Sequence, residues 1–345
     1  MGLDIPVDVV LSGEGAEGIA DEAAAAEEAG FGRLWAPELQ RSATIPLAVA
    51  AGATTRIELG TGIALAFTRS PFVLALEALD LDEISGGRMC LGLGAGVRRL
   101  NRSWHGAEYD PPVRRMRELV AATSELVSAM AEGRDAASPG EYYDISVVGY
   151  RRSTAYPRTA IPIWLAAVMP RMARLAGARA DGFLDHPVTS AEWLNETLLP
   201  AIDAGARQEG RPPPTVSGAL ICAVDDDEPE RARRAAACTV GFYATVRTYA
   251  DLFARAGFED RLGPIRRAFL TGDGEALADA VGPDMTARFA AAGTAAEVRS
   301  TVRSYVSACD RCDRVWATPP HHLQSAADTA GWQEGIRRAL GTRSR

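Results

Sequence analysis

Apolar residues fall in short runs, each closed by a glycine-rich turn and followed by a stretch with helical spacing. The first run, Ile5–Leu11, reads as a strand, and Ala16–Gly30 as a helix that Gly30 stops. Gly32–Trp35, Ile57–Thr61 and Met89–Leu93 are the next three strands, and Pro46–Ala53, Pro71–Ser85 and Pro112–Glu132 are helices between and after them. Pro162–Ala166, Gly182–Leu184, Thr215–Val224 and Arg314–Ala317 bring the strands to eight, with a further helix at Pro170–Ala178. Strands that alternate with helices pair in parallel through right-handed crossovers. Eight such units predict an α/β fold of the (β/α)8 TIM barrel type. Asp225–Val298 is too long for one crossover and mostly helical in pattern, so it predicts a helical insertion between strands seven and eight. Gly133–Arg158 is a polar excursion before strand five. No repeat of fixed period and no low-complexity linker divides the chain. Residues 1–345 therefore read as one barrel domain with insertion segments at about 133–158 and 225–298.

Charge narrows the partners. Acids outnumber bases 45 to 37, a net charge of −8, so no positive field draws phosphate backbones and no nucleic-acid partner is expected. Every basic residue is arginine. Without lysine, Schiff-base chemistry, lysine-held pyridoxal and a P-loop are excluded. A GC-rich coding sequence is the plain cause of that bias. The five cysteines, Cys90, Cys222, Cys238, Cys309 and Cys312, are scattered and odd in number, which fits a reducing compartment rather than a disulfide framework. Cys309 and Cys312 have Cys-x-x-Cys spacing, but no second pair completes a zinc site and the pair ends a helix instead of following an early strand. Packing is its expected role. No apolar run reaches ~18 residues and no leader pattern opens the chain, so no membrane span is expected and the cytoplasm is the expected location.

Chemistry in such a barrel gathers at the C-terminal ends of the strands. Ala36–Gln40 follows strand two, Gly60–Ala64 closes strand three, Gly92–Arg99 closes strand four and Ala166–Arg171 closes strand five. Asp185-His186 follows strand six and Thr318–His322 strand eight. The glycines at Gly60, Gly62, Gly92, Gly94 and Gly96 let backbone amides approach a ligand. The Gly92–Gly96 turn is not a Rossmann fingerprint, since its spacing and its place on the fourth strand are wrong. With Arg98 and Arg99 beside it, and the helix start at Pro170-Arg171 as another anion site, the mouth suits a phosphate-bearing cofactor. Leu39, Ile63, Phe67, Met169 and the nearby Trp35 make that mouth apolar, which suits an organic substrate. His186 directly follows a strand and is placed to face the pocket; a satisfied polar role is the alternative. His321 and His322 follow two prolines, His105 reads as a solvated loop residue, and no His-carboxylate pattern predicts a metal.

These residues also carry a family resemblance. Ile57–Pro71 resembles strand three of the luciferase-like flavin and deazaflavin oxidoreductases, and Leu81–Gly94, with its Ser85-Gly86-Gly87-Arg88, resembles that family's run into strand four. Arg114–Glu118, Pro162–Val168 and Leu175–Gly182 continue the resemblance in order. Thr68–Pro71 and Arg171-Met172 make the chain most similar to the branch that uses coenzyme F420, which includes methylene-tetrahydromethanopterin reductase. The resemblance implies the same barrel, a homodimer, and a non-prolyl cis peptide at Gly62-Ile63 whose bulge backs the deazaflavin ring. The cofactor contacts it and the strand ends imply are Gly62, Ile63, Ala64, Gly94, Ala95, Gly96, Val97, Arg98, Ala166, Ala167, Val168, Met169 and Arg171. Several family members carry Asp-His after strand two, where this chain has Glu38-Leu39. Leucine transfers no proton, so Glu38, Gln40 or His186 is expected to take that part. Glu38 reads either as a desolvated acid with a raised pKa or as a locally bonded residue. The implied reaction is hydride transfer between F420 and an electron-poor C=C, C=N or C=O of a small organic substrate. The alternatives are a reduced-FMN monooxygenase of the same fold and a cofactor-binding barrel without turnover.

Overall fold

The computed structural model describes residues 4–12 and 16–342. Eight parallel strands close a ring: β1 (Val7–Val10), β2 (Arg33–Ala36), β3 (Glu58–Thr61), β4 (Met89–Gly94), β5 (Ile163–Ala166), β6 (Gly182–Leu184), β7 (Thr215–Val224) and β8 (Arg314–Thr318). Each strand pairs with its neighbours in sequence, and β8 pairs back onto β1 with Asp8 opposite Trp316. This is the expected (β/α)8 barrel. A buried ion pair marks the closure: Asp8 accepts from Arg314 Nε at 2.9 Å and Nη2 at 2.6 Å, joining the first strand to the last.

Local chemistry sets the helix ends. Ser70 Oγ accepts the Val73 amide at 3.2 Å, Pro71 occupies the first helical position, and Gly86 at φ 69° stops the helix Pro71–Ser85. Arg88, just beyond, donates to the carbonyls of Ala51, Thr54 and Ile57 at 3.1, 2.9 and 2.7 Å. That one guanidinium ties the end of the helix Thr44–Ala53 to the start of β3 and to the approach of β4.

The ring is filled, not hollow. Trp35, Trp164 and Trp316 pack with Val10, Cys90, Leu184 and Ala219 inside it. Trp35 meets Trp164 and Trp316 edge-on, with ring centres 5.6 and 6.4 Å apart. The Arg33 guanidinium lies 4.9 Å from the Trp35 ring centre and 4.5 Å from that of Trp164. Three indoles fit only because facing positions carry no side chain. A Cβ on Gly60 would run into Trp35, and one on Gly182 into Trp164.

The insertion after β7 is not wholly helical. Helices Pro229–Thr245, Arg247–Phe253, Glu259–Thr271 and Gly274–Phe289 lead to a strand, Ala290–Gly293, that pairs in parallel with Ile221–Val224 of β7. Three alanines and a glycine give no strand signal. The pairing exists because β7 is ten residues long and its last residues run past the ring, offering an edge. The 133–158 segment likewise holds a small antiparallel hairpin, Ala136–Ser138 with Ile145–Val147, and Arg158 at its far end bonds Asp82 and the Met89 carbonyl. Helices Arg98–His105, Leu199–Gln208 and Ala326–Leu340 are further elements that apolar periodicity does not announce.

Gly182→Ala should cost about 1–3 kcal/mol or more in urea unfolding, because the methyl group has no room against Trp164. Gly52→Ala, where nothing lies within 4 Å, should leave stability equal or higher, so equal losses in both variants would contradict the packing described.

Candidate active site

β3 ends in a cis peptide between Gly62 and Ile63, the bond the resemblance implies. Ala64-Leu65 then pairs with Leu93 and Gly94 at the end of β4. The Ile63 side chain lies where a Cβ on Gly94 would fall, 2.8 Å away, and Ile63 and Ala166 pack on the tryptophan cluster. The tryptophan cluster thus lies beneath the mouth, and Ile63, Gly94 and Ala166 form a low apolar seat above it. Trp35 itself is sealed inside the ring and lines nothing.

Glu38 sits beside this seat as a brace. Its oxygens accept from Arg69 at 2.8 and 2.6 Å and from the Leu65 amide at 2.7 Å, and the two side chains are only 9% and 15% exposed. Such a fork is among the strongest carboxylate arrangements. These bonds tie Glu38 to the backbone at Leu65, just past the cis bond. Leu39 and Gln40, the next residues of the loop after β2, are exposed.

Past β4 the backbone turns at Gly96, φ 62°, where a Cβ would press on Leu65 at 2.5 Å. Buried Asn101 donates to the Ala95 and Val97 carbonyls at 2.9 and 3.1 Å and holds that loop. The helix Arg98–His105 starts there with no side chain capping it, and so does Pro170–Arg179 after β5. Two uncapped helix starts at one barrel mouth offer amide donors to an anion. Arg98 is exposed and paired with Asp110 at 2.6 Å, and Arg171 is exposed, so neither guanidinium is built into the seat. The Ala167 amide donates to the Leu184 carbonyl at 3.4 Å, and the Val168 carbonyl accepts from Trp193 at 3.0 Å. Those two groups hold the fold together.

The opposite wall is aromatic. His186 stands 4.9 Å from Tyr243 and 5.0 Å from Tyr249, ring centre to ring centre, and Tyr243 stands 5.4 Å from His321. Thr239 Oγ accepts the His321 and His322 amides at 3.1 and 3.3 Å, fixing the turn after β8 against the insertion. Across the mouth Tyr109 meets Phe67 edge-on at 5.7 Å and lies close enough to Tyr249 to act on its phenol. Burial pushes His186 down to about 3, with the neighbouring His321 adding to the effect. Its Nδ1 accepts the Val188 amide at 3.3 Å, which leaves the proton of the neutral ring on Nε2. His186 is thus a hydrogen-bond donor and not an imidazolium acid at neutral pH. Burial also raises the phenols of Tyr243 and Tyr249, the latter to about 12, so both keep their protons.

Sequence reasoning singles out His186 but not Tyr109, Tyr243 or Tyr249. No motif surrounds them, and only the folding of the insertion brings the last two to the strand ends. A cleft of about 510 Å³ between the insertion helices shares no residue with this mouth. Its two arginines, Arg233 and Arg234, are paired with Glu297 and Asp279.

The closed ring of eight parallel strands, with one mouth at the strand ends, is of the (β/α)8 barrel class. The chain belongs to the luciferase-like monooxygenase family, whose model matches residues 4–312. An uncharacterised protein of Mycobacterium tuberculosis is 32% identical over 304 residues, covering 86% of this chain and 87% of that protein. The 5,10-methylenetetrahydromethanopterin reductase of Archaeoglobus fulgidus is 28% identical over 282 residues, covering 79% and 81%. The structure of the coenzyme F420-dependent tetrahydromethanopterin reductase from Methanopyrus kandleri superposes with a TM-score of 0.81 at 22% identity and covers 99% of both chains.

The buried neutral ring of His186 makes stability depend on pH. Above pH 6.5 the ring is neutral in both folded and unfolded chains; between 6.5 and about 3 the unfolded chain binds a proton that the folded one refuses. Stability therefore falls as pH falls through that window. At pH 5, unfolding of the wild type should take up about one proton more than unfolding of His186→Gln. Equal pH slopes in denaturant titrations of the two would refute the assignment.

Proposed function

We propose that this protein is an F420-dependent oxidoreductase, moving a hydride between the deazaflavin and an electron-poor C=C, C=N or C=O of a small organic substrate. The carrying observation is the seat of Ile63, Gly94 and Ala166 between the uncapped helix starts at Arg98 and Pro170. An apolar platform with amide donors at its rim fits a planar ring bearing a phosphate tail. When bound, the deazaflavin supplies or accepts the hydride. In this reading Gly62, Ile63 and Ala64 back the ring, while Gly94–Val97 and the start of the helix at Pro170 hold the tail. Glu38 keeps the bulge in place through Leu65 and Arg69. His186 donates from Nε2 to a polar atom of the substrate, in the part that Leu39 cannot play. Tyr109, Tyr243 and Tyr249 close the remaining wall and exclude water. Use of reduced FMN with oxygen is the second reading, favoured by the family's monooxygenase members.

The setting belongs to the same proposal. All five cysteines are free, as a reducing cytoplasm keeps them. Among the described residues no helix is long and apolar enough to cross a membrane. Ile45 and Val49 on the helix Thr44–Ala53, with Val73 on the adjoining helix, are 69%, 41% and 38% exposed, and this apolar face suits a second copy of the chain.

Fluorescence titration should give micromolar or tighter F420 binding and weak FMN binding, and Gly94→Val, which fills the seat, should weaken F420 at least about tenfold. A preference for FMN would move the protein to the second reading. Sedimentation should find a dimer that the double change Ile45→Glu, Val49→Glu dissociates; a monomeric wild type would remove the dimer from the proposal.

A further inference from the structure

Behind the barrel wall, away from the seat, four reactive groups converge on the back of β6 and β7. Asp185, the residue after β6, is 1% exposed, and its Oδ1 has no hydrogen-bond partner among the described residues. Tyr305, on the crossover helix Ala295–Ala308, donates its hydroxyl to Asp185 Oδ2 at 3.4 Å. The same hydroxyl reaches Cys309. Cys309 and Cys312 are within hydrogen-bonding reach of one another, and the Cys312 thiol donates to the Arg314 carbonyl at 3.0 Å. Gly218 of β7 makes the space: a Cβ there would lie 2.9 Å from the Tyr305 hydroxyl and 3.0 Å from Cys312 Sγ. Both cysteines are half-buried.

We propose that Cys309 and Cys312 are a dithiol modification site that closes to an intramolecular disulfide by exchange with a low-molecular-weight disulfide, with Asp185 receiving the proton of Cys309 through Tyr305. The packing role that sequence context gives the Cys-x-x-Cys pair leaves two things unexplained. One is a buried carboxyl with an unpartnered oxygen. The other is a hydroxyl touching that carboxyl and one of the thiols. Cys312 is the attacking sulfur: the hydrogen bond from Cys309 holds it below the ordinary thiol range, while Cys309 is held above it. Cys312 first loses its proton to solvent; the thiolate then attacks one sulfur of the small disulfide, the S–S bond breaks, and one small thiolate leaves. Cys309 then gives up its proton, and its sulfur attacks the Cys312 sulfur and expels the second small thiolate. The two cysteines are oxidised, and the small disulfide is reduced to two thiols once both leaving groups are protonated.

The acceptor is matched to that step. Burial raises the Asp185 carboxyl to about 7, so it is available as a base near neutrality. The groups that face it are Tyr305 from the helix, Cys309 and Cys312 from the turn before β8, and Thr189 beyond β6; Asp313 adjoins Cys312.

Trypsin cuts after Arg311, between the two cysteines, so their peptides stay joined only through a disulfide. The full-length protein, equilibrated with oxidised glutathione, acid-quenched and digested, should yield the joined pair, and Cys309→Ser or Cys312→Ser should yield none. The rate of closure in the wild type should rise with pH through an inflection near that of Asp185. Asp185→Asn should close about tenfold more slowly at pH 7 and lose that inflection, following thiol ionisation alone. Unjoined peptides from the wild type would overturn the site. An unchanged pH profile in Asp185→Asn would overturn the part given to the carboxyl, and the wild-type profile alone decides that point if the variant does not fold.

Discussion

The packing of three tryptophans inside an eight-stranded ring governs the rest of this structure. Trp35, Trp164 and Trp316 come from β2, β5 and β8; Trp35 meets the other two edge to face, and the Arg33 guanidinium lies over Trp35 and Trp164. Interiors are packed to crystal density, so indoles on three strands require missing side chains on others. Gly60 and Gly182 meet that requirement. The floor they leave is the platform on which Ile63 and Ala166 rest. The height of the mouth, and therefore what the strand ends can hold, follows from a volume condition several residues below it.

Charge is used in the same structural way. Asp8 with Arg314 closes the ring, Arg158 with Asp82 anchors the excursion before β5, and Glu38 with Arg69 holds the chain past the cis bond. Each pair joins segments far apart in sequence, and each uses the planar guanidinium that can bind a carboxylate on two edges. Side-chain cations other than histidine are all guanidinium groups here, and these three pairs use the fork, whereas buried Arg33 reaches Glu58 through a single nitrogen.

Several residues that carry the family resemblance turn out to be scaffold. In Ser85–Arg88, glycine stops a helix and arginine collects four carbonyls. In Leu175–Gly182, Gly177 lets two helices approach at Ile202, Gly182 admits Trp164, and Asp181 accepts the Ile163 amide at 2.9 Å. These positions make the barrel recognisable because the barrel cannot be assembled without them. The residues around the seat are small or apolar and contribute chiefly their backbone. The residues that shape the opposite wall lie in segments without motifs.

The sequence by itself determined the eight strands, their order, the place of the insertion and the strand ends where a ligand would sit. Short apolar runs between glycine turns and amphipathic helices allow one economical arrangement, and that information is local. It also marked His186 as a candidate, because residues just past a strand lie at the mouth of a barrel. Tertiary structure alone decided that Glu38 is a brace, since its partner Arg69 is distant in sequence and nothing in the spacing links the two. It decided that Ala290–Gly293 is a strand, because the long edge of β7 selects it and its own residues do not. It set Tyr243 and Tyr249 beside His186, and Asp185 beside Tyr305, Cys309 and Cys312. In each case the chemistry arises from contacts between segments whose patterns specify only helix, strand or turn, and only the closed ring brings those segments within reach.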